Sequence, residues 1–245
     1  MPRLGHALVR LGEVDSTSDE AAALAARGAA HGTVVVAEAQ RQGRGRQGRA
    51  WFSPPGDNLY LSCVLRPALP PVRVPPVTLA AGVAVAEAVA TLGVQPRLKW
   101  PNDVLASGKK LAGVLTEMST QGDRVEHVVL GVGVNVATTR FPEELAGVAT
   151  SVALEVGRAV GVEDVLAVVL ERLDFWLAQY FAGGMGEVAP AWTSWSGMGG
   201  AAVRVEVGGR EVRGVARGIG ADGVLEVVDE GGRVVRVTAG DVLLV

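Results

Sequence analysis

The sequence GRGRQGRAW, residues 43–51, lies between two runs that we predict to be strands, Thr33–Ala37 and Asn58–Leu65. Its three glycines allow backbone N–H groups to approach a ligand closely. Its three arginines, with Arg41 just before them, supply guanidinium groups that bind phosphate or carboxylate oxygens in pairs. The stretch therefore favours a loop that binds a polyanion such as a nucleotide triphosphate. Two alternatives are a solvated basic loop and an arginine/glycine RNA-binding tract, although such tracts are normally longer and repeated.

Helices and strands alternate on both sides of this loop. The predicted helices are Thr17–Ala30, Pro76–Leu92 and Glu163–Phe181, and the remaining predicted strands are Leu111–Met118 and Glu126–Val136. Thr17 and Glu20 have the spacing of a capping box. The second helix is apolar on nearly all sides, which is typical of a buried helix, and the third repeats apolar residues every three or four positions. This pattern predicts an α+β fold in which helices flank a mixed sheet.

A different pattern follows Trp195. Ser196–Gly200 has the composition of a linker. Five short β-rich runs come after it, at Val203–Val207, Val212–Arg217, Val224–Val228, Val234–Val237 and Val242–Val245. Three pairs between them are hairpin signals, namely Gly208-Gly209, Asp222-Gly223 and Gly231-Gly232. We therefore expect two domains, a larger one over residues 1–197 and a small all-β barrel over residues 198–245.

Composition excludes several classes of protein. The chain has 245 residues, 49% of them apolar, with 23 lysines and arginines against 26 aspartates and glutamates, a formal net charge of −3. This excludes a disordered chain and disfavours general electrostatic binding to nucleic acid. Cys63 is the single cysteine, which excludes a disulfide scaffold and suits a reducing cytosol. The apolar run Val77–Val89 is too short to span a membrane and no signal peptide precedes it, so we expect a soluble cytoplasmic protein.

Two charged segments suit either structure or chemistry. The motif KWPND at 99–103 is a good turn with a tryptophan as core filler, or else Asp103 and Asn102 hold a Mg²⁺ that carries phosphates. Lys109 and Lys110 at the mouth of a predicted strand are either solubilising charges or include one ammonium that neutralises a reacting carboxylate and phosphate. Each segment taken alone leaves both interpretations open.

Two further segments also have both interpretations. The glycines of GVGVN at 131–135 mark either a β-bulge or the close approach of a ligand. Ser16, Thr17 and Ser18 cap the predicted helix, and hydroxyls that the cap does not use can bind a ligand. The three histidines lack the spacing of metal ligands, and the sequence contains neither a Gly-x-Ser-x-Gly elbow nor a phosphate loop ending in Gly-Lys-Ser/Thr. The expected chemistry is therefore electrostatic and positional.

Five motifs occur in the order found in a known family. VDSTS (14–18), GRGRQGRAW (43–51), KWPND (99–103), KLAGVLTE (110–117) and GVGVN (131–135) resemble the biotin–protein ligases. The C-terminal segment looks like that family's SH3-like domain, and the resemblance implies a class II synthetase-like catalytic domain. It also implies two half-reactions. Biotin's carboxylate attacks the α-phosphate of ATP, and a lysine of a biotin carboxyl carrier domain then attacks the resulting biotinyl-5′-AMP.

The resemblance implies roles for individual residues. The residues implied to be catalytic are Lys110, Arg46 and Asp103, with Asp103 also implied to help place Mg²⁺ or the reacting groups. Those implied to bind biotin are Ser16, Thr17, Ser18, Gln40, Arg44, Gly45, Arg46, Lys110, Gly113 and Gly133. Those implied to bind ATP or the adenylate are Arg44, Arg46, Trp51, Asn102, Asn135 and Lys110.

Two features depart from the family pattern. The family usually has asparagine where this chain has Ser18, which puts the direct contact from this position in doubt but not the pocket. The motif at Ser16 comes so early that we expect no N-terminal DNA-binding domain and no binding to DNA. Homodimers are common in the family, and the sequence shows no exposed apolar stripe that would establish one.

Two other functions compete with this hypothesis. A lipoate- or octanoate-handling enzyme shares the fold, but its substrate lacks the ureido ring that the Ser/Thr/Gln set suits. An RNA- or protein-binding module would use the basic loop and the barrel, and would leave Lys110 and Asp103 without a role. We also expect the loop from Arg41 to Arg49 to repel itself and to stay mobile until an anion neutralises it.

Overall fold

The computed structural model describes residues 3–207 and 210–244. Its larger sheet has seven strands: β1 Ala7–Val14, β2 Thr33–Gln40, β3 Asn58–Leu65, β4 Pro96–Lys99, β5 Asp103–Ala106, β6 Lys109–Gln121 and β7 Arg124–Asn135. Their order across the sheet is β1-β2-β3-β7-β6-β5-β4. Only the β1–β2 pair is parallel among these neighbours. The predicted mixed sheet is therefore confirmed.

The helices cover the two faces of this sheet unequally. They are α1 Thr17–Ala26, α2 Val77–Thr91, α3 Glu143–Ala146, α4 Val152–Val156, α5 Val162–Gly183 and α6 Met185–Ser196. The larger core lies between the sheet, α2, α5 and α6, while α1 packs on the opposite face. Residues 59, 61, 63 and 65 of β3 belong to the larger core and Val64 to the smaller one, because successive strand residues point to opposite faces.

The most apolar helix is a core helix of this fold. The segment Pro71–Thr91 is long and apolar enough to cross a membrane by length and composition, but 72% of its most apolar window is buried inside the protein. Eleven residues of α2 are buried against the sheet and the neighbouring helices. The prediction of a buried helix at this place is confirmed.

A second sheet follows α6. Its five strands, β8 Ala202–Val207, β9 Arg210–Ile219, β10 Leu225–Asp229, β11 Val234–Val237 and β12 Val242–Leu244, are arranged in the order β11-β10-β9-β8-β12 and are all antiparallel. The predicted hairpin pair Gly208-Gly209 and the final Val245 lie outside the described residues. The all-β character of this region is confirmed, and the boundary between residues 197 and 198 stays a prediction.

Several local predictions were wrong in detail. The first helix ends at Ala26, not Ala30, and Ser16 caps it instead of Thr17 by accepting a hydrogen bond from the Ser18 backbone N–H. The sequence pattern had not indicated β1, β4, β5 or α6. Both β4 and β5 have only four residues, so their strand character depends on pairing with neighbours more than on a local pattern.

Candidate active site

The first of two adjoining cavities lies on the α1 face of the sheet. The predicted residues that line it are Ser16, Thr17, Ser18, Gln40, Arg44, Gly45, Trp51, Asn102, Lys110, Gly113 and Gly133. Tyr60, Gly131 and Leu115 line it as well. Residues from the N-terminus of α1, from four strands and from the loop after β2 therefore meet at one place.

The polar wall of this cavity forms where α1 meets the end of β2. The Thr17 backbone N–H donates to Gln40 Oε1 at 2.9 Å, and the Thr17 hydroxyl donates to the same oxygen at 3.1 Å. Ser16 is used as the helix cap, so the hydroxyls of Thr17 and Ser18 are not needed for capping. Adjacent residues can therefore cap the helix and line the cavity at the same time.

The opposite wall is a tryptophan packed on a pair of glycines. Gly113 and Gly133 face each other across β6 and β7. A Cβ at Gly133 would lie 2.6 Å from the Trp51 ring, and one at Gly113 would lie 3.1 Å from it. Trp51 Nε1 is buried and has no hydrogen-bond partner within the described part of the chain. Glycine is required here because the indole occupies the space of the missing side chains.

Lys110 lies where the two cavities meet. Its Nζ is 2.6 Å from Asp103 Oδ1 and 5.3 Å from the centre of a Trp51 ring. An irregularity in the β5–β6 pairing, between Val104 and Leu105, places Asp103 opposite Gly113 and Leu105 opposite Lys110. The two catalytic candidates, seven positions apart on neighbouring strands, are thereby brought into contact.

The second cavity is larger than the first and shares Gly45, Trp51, Asn102 and Lys110 with it. The other predicted residues that line it are Arg46, Asp103 and Asn135. It also receives Phe141, Ala149 and, from the C-terminal sheet region, Asp241. The cationic and aromatic groups that line it suit a nucleotide, because guanidinium groups bind phosphate oxygens well.

Arg46 is the most enclosed arginine of the loop. Its guanidinium contacts Asn102 Oδ1 at 3.4 Å, the Gly240 carbonyl at 3.4 Å and Asp241 at 3.6 Å. Burial lowers the pKa of Arg46, and the nearby negative charge of Asp103 opposes that shift. A partly desolvated guanidinium binds an oxyanion more strongly than an exposed one.

The arginines of the loop do repel one another, since the charge of Arg49 lowers the pKa of Arg46, but carboxylates compensate most of their charge. Arg41 pairs with Asp15 at 2.8 Å, Arg44 pairs with Asp19 at 2.7 Å, and Arg49 pairs with Asp241. The carboxylates come from outside the loop, so the loop's positive charge is compensated in the structure. Mobility before ligand binding stays a prediction.

Asn135 has a structural bond of its own. It is only 5% exposed, and its amide nitrogen donates to the Thr150 carbonyl at 3.0 Å and weakly to the Lys110 carbonyl at 3.4 Å. It lines the second cavity, but its side-chain nitrogen is already used in hydrogen bonds to the main chain. Its contact with the adenylate stays a prediction.

The donors near Asp103 fit a phosphate-bound Mg²⁺. Asp103 and Asn102 provide adjacent oxygen donors on the wall of the second cavity. Among the residues that the structure describes there is no group of three or more histidine, cysteine, aspartate or glutamate side chains that could hold a metal alone. One or two protein oxygens suit Mg²⁺ that arrives bound to the phosphates of ATP.

Sequence reasoning missed two contributors to the site. Ser62 bonds both cavity hydroxyls from below, and a polar residue inside the otherwise apolar strand LYLSCVL was the available signal. Asp241 contacts Arg49 of the loop although the two residues are nearly 200 positions apart in the chain, and no local pattern marks Asp241.

The site consists of two adjoining cavities that meet at one lysine, an arrangement suited to an enzyme that joins a small ligand to a nucleotide. The Biotin/lipoate A/B protein ligase family matches residues 11–135, and the Biotin protein ligase C terminal domain matches residues 199–245. The chain therefore belongs to the biotin/lipoate A/B protein ligase family, and within it to the biotin–protein ligases.

Individual relatives agree with this placement. The chain is 41% identical over 239 residues to a biotin–[acetyl-CoA-carboxylase] ligase of Mycobacterium tuberculosis, covering 94% of this chain and 86% of that protein. It is 36% identical over 225 residues to the bifunctional ligase/repressor BirA of Bacillus spizizenii, covering 91% of this chain and 69% of the relative. The structure matches a biotin protein ligase from Aquifex aeolicus in complex with biotin and ATP with a TM-score of 0.84, at 30% identity, over 98% of this chain and 99% of that one.

Proposed function

We propose that this site activates biotin with ATP and transfers the biotinyl group to one lysine of a biotin carboxyl carrier domain. The observation that carries the proposal is the position of Lys110, whose Nζ lies beside Asp103 at the junction of the two cavities. An ammonium at that point reaches the carboxylate of a ligand in the first cavity and the α-phosphate of a nucleotide in the second.

Each half-reaction is a displacement that needs no enzyme nucleophile. A biotin carboxylate oxygen attacks the α-phosphorus, the bond to the β-phosphate oxygen breaks, and pyrophosphate leaves. The neutral ε-amine of the carrier lysine then attacks the acyl carbon, the bond to AMP breaks, and the amine loses a proton to solvent. Biotin's carboxylate and the α-phosphate are both anions and repel each other, and Lys110 and Arg46 offset this repulsion with positive charge.

The first cavity would hold the ring system of biotin. Ser16, Thr17, Ser18 and Gln40 provide its polar wall, Gly131 leaves room for the Ser18 hydroxyl, and Gly113 and Gly133 leave room for Trp51. The shorter Ser18, in place of the family's usual asparagine, leaves the pocket in place, because Ser62 supports its hydroxyl at 3.1 Å. Biotin's carboxylate would then point toward Lys110.

The second cavity would hold ATP, with Arg44, Gly45 and Arg46 covering the reacting groups and Trp51 and Asn135 toward the adenosine. Asp103 and Asn102 would hold the Mg²⁺, which neutralises phosphate charge. An incoming anion must compete with the carboxylates that now pair with the arginines, so ligand binding and loop rearrangement occur together. We also infer a cytoplasmic location, where the buried Cys63 stays reduced.

The test is the intact mass of a biotin carboxyl carrier domain after incubation with this protein, ATP, Mg²⁺ and either biotin or lipoate. We expect a gain of one biotin that requires ATP and is lost with Lys110→Ala. Lys109→Ala is the matched control, since it removes the neighbouring ammonium from outside both cavities. A lipoyl gain would instead assign the sister activity, and no gain with either acid from folded protein would favour a binding module.

A further inference from the structure

A chain of hydrogen bonds begins below the polar wall of the first cavity. Ser18 Oγ lies 3.1 Å from Ser62 Oγ, which in turn lies 2.9 Å from Thr17 Oγ1. Ser62 is fully buried in β3 and does not itself line the cavity. It is therefore the only residue of the three that supports the wall without facing the ligand.

The same chain continues to the arginine-rich loop. The Gln40 side-chain nitrogen donates to Ser53 Oγ at 3.0 Å, and the Ser53 hydroxyl donates to the Trp51 carbonyl at 3.0 Å. Gly43 leaves room for this connection, because a Cβ there would lie 2.6 Å from Ser53 Oγ and 2.7 Å from the Trp51 carbonyl oxygen. A continuous path therefore joins the cavity wall to the backbone of the residue that separates the two cavities.

The direction of each hydrogen bond follows from the groups available. Gln40 Oε1 accepts from the Thr17 backbone N–H, which identifies that end of the amide as the oxygen. An amide oxygen only accepts, so the Thr17 hydroxyl hydrogen points to Gln40. Ser62 must then donate to Thr17, and Ser18 must donate to Ser62.

This ordering fixes what the wall offers to a ligand. With their hydrogens committed to the chain, the Ser18 and Thr17 oxygens present lone pairs and act as acceptors. A ureido ring supplies two N–H donors to such a wall, whereas the dithiolane of lipoate or an alkyl tail supplies none. A wall of oriented acceptors disfavours a ligand without donors, because the lone pairs that face the cavity are then left without a partner.

We propose that Ser62 and Ser53 are positioning residues: Ser62 orients the hydroxyls that accept hydrogen bonds from the ureido ring, and Ser53 couples the filled cavity to the arginine-rich loop. The ligand's identity rests on the proposed function. The assignment of these two serines adds to it, since neither touches the reacting atoms.

The role of Ser62 is tested by calorimetric titration of biotin, without ATP, into the full chain. Ser62→Ala removes one buried oxygen and should weaken biotin binding about tenfold, while kcat at saturating biotin and ATP stays within about twofold. Cys63→Ala is the matched control: it is the next residue on β3, equally buried, and lies in the core on the other side of the sheet. Its biotin affinity should match the wild type.

The role of Ser53 is tested by tryptic cleavage after the arginines at 41–49, with and without biotin. Biotin should slow cleavage of the wild type about tenfold or more. Ser53→Ala should bind biotin within about threefold of the wild type but lose most of this protection. Ser119→Ala, which removes a hydroxyl bonded to Glu126 on the exposed end of β6, should keep it.

These experiments distinguish a failure of the proposed function from a failure of the roles proposed for the two serines. A folded wild-type chain that binds no biotin contradicts the proposed function itself. A wild type that binds biotin, together with Ser62→Ala of equal affinity, overturns the role of Ser62. Equal protection in Ser53→Ala and wild type, or biotin binding without any protection of the wild-type loop, overturns the coupling.

Discussion

Gly133→Ala tests how Trp51 is held between the two cavities. The new methyl carbon would lie 2.6 Å from the indole, and ordinary contact begins near 3.4 Å, so ring and strand must separate by about 1 Å. Gly133 belongs to β7, which lies between β3 and β6 in the sheet and therefore moves less readily than a loop residue such as Trp51. Trp51 is therefore the group that gives way.

The expected cost of this substitution has two parts. Overpacking at a well-packed site typically lowers the free energy of unfolding by about 1–3 kcal/mol, and we expect the lower end because the loop yields. Displacing Trp51 also removes the wall shared by both cavities, so the KM values for biotin and ATP should each rise about tenfold or more. Urea denaturation measures the first effect, and biotin-dependent exchange of pyrophosphate into ATP measures the second.

Two further variants make the test sharp. Gly12→Ala is the matched control, because Gly12 also lies in a strand but a Cβ there meets nothing within 4 Å; its stability should be unchanged or slightly raised. In a Trp51→Ala background, Gly133→Ala should lose most of its effect on stability, since the clash has been removed. Equal effects of Gly133→Ala in both backgrounds would refute the packing of Trp51 on Gly133.

Three other outcomes are expected. Burial lowers the pKa of His31, whose Nδ1 accepts a hydrogen bond from the Arg66 backbone N–H at 3.0 Å. As the pH falls, the unfolded chain therefore takes up the proton before the folded chain does. The contribution of this group to the free energy of unfolding is complete above about pH 6.5 and decreases as the pH drops below it. Urea denaturation at pH 7.5 and 5.5 should show a larger loss for the wild type than for His31→Gln, and an equal loss would contradict this. Arg66→Ala removes guanidinium bonds to three main-chain carbonyls and should lower the free energy of unfolding by about 2 kcal/mol with little change in kcat, as measured by denaturation and the carrier mass assay. Asp241→Asn frees Arg46 and Arg49 from their carboxylate partner, so tryptic cleavage of the unliganded loop should be faster than in the wild type; unchanged cleavage would show that this pairing does not hold the loop.

Strong local patterns were read correctly from the sequence. The strand Asn58–Leu65 has the predicted bounds, and the amphipathic helix predicted at Glu163–Phe181 extends by only one residue at its start and two at its end. The α6 helix was missed because Gly186 and Pro190 weaken its helical pattern, and its formation depends on packing against α2 and α5.

The candidate residues could be predicted from the sequence mainly through the resemblance to a known family, because each motif taken alone left a structural interpretation open. Each predicted site residue lines one or both of the two cavities. Their roles in binding and catalysis remain predictions that the experiments above test.

The class of fold, the family and the set of chemical groups could be recognised from the chain alone, since helix and strand periods and motif residues are local properties. Which of these groups meet became known from the folded structure: Lys110 contacts Asp103, Trp51 packs on Gly133, and Ser62 lies beneath Thr17. These contacts depend on strand order, a local irregularity in strand pairing and the seating of one loop on the sheet. Such features arise from interactions between distant segments, and no local pattern in the chain encodes the distances between them.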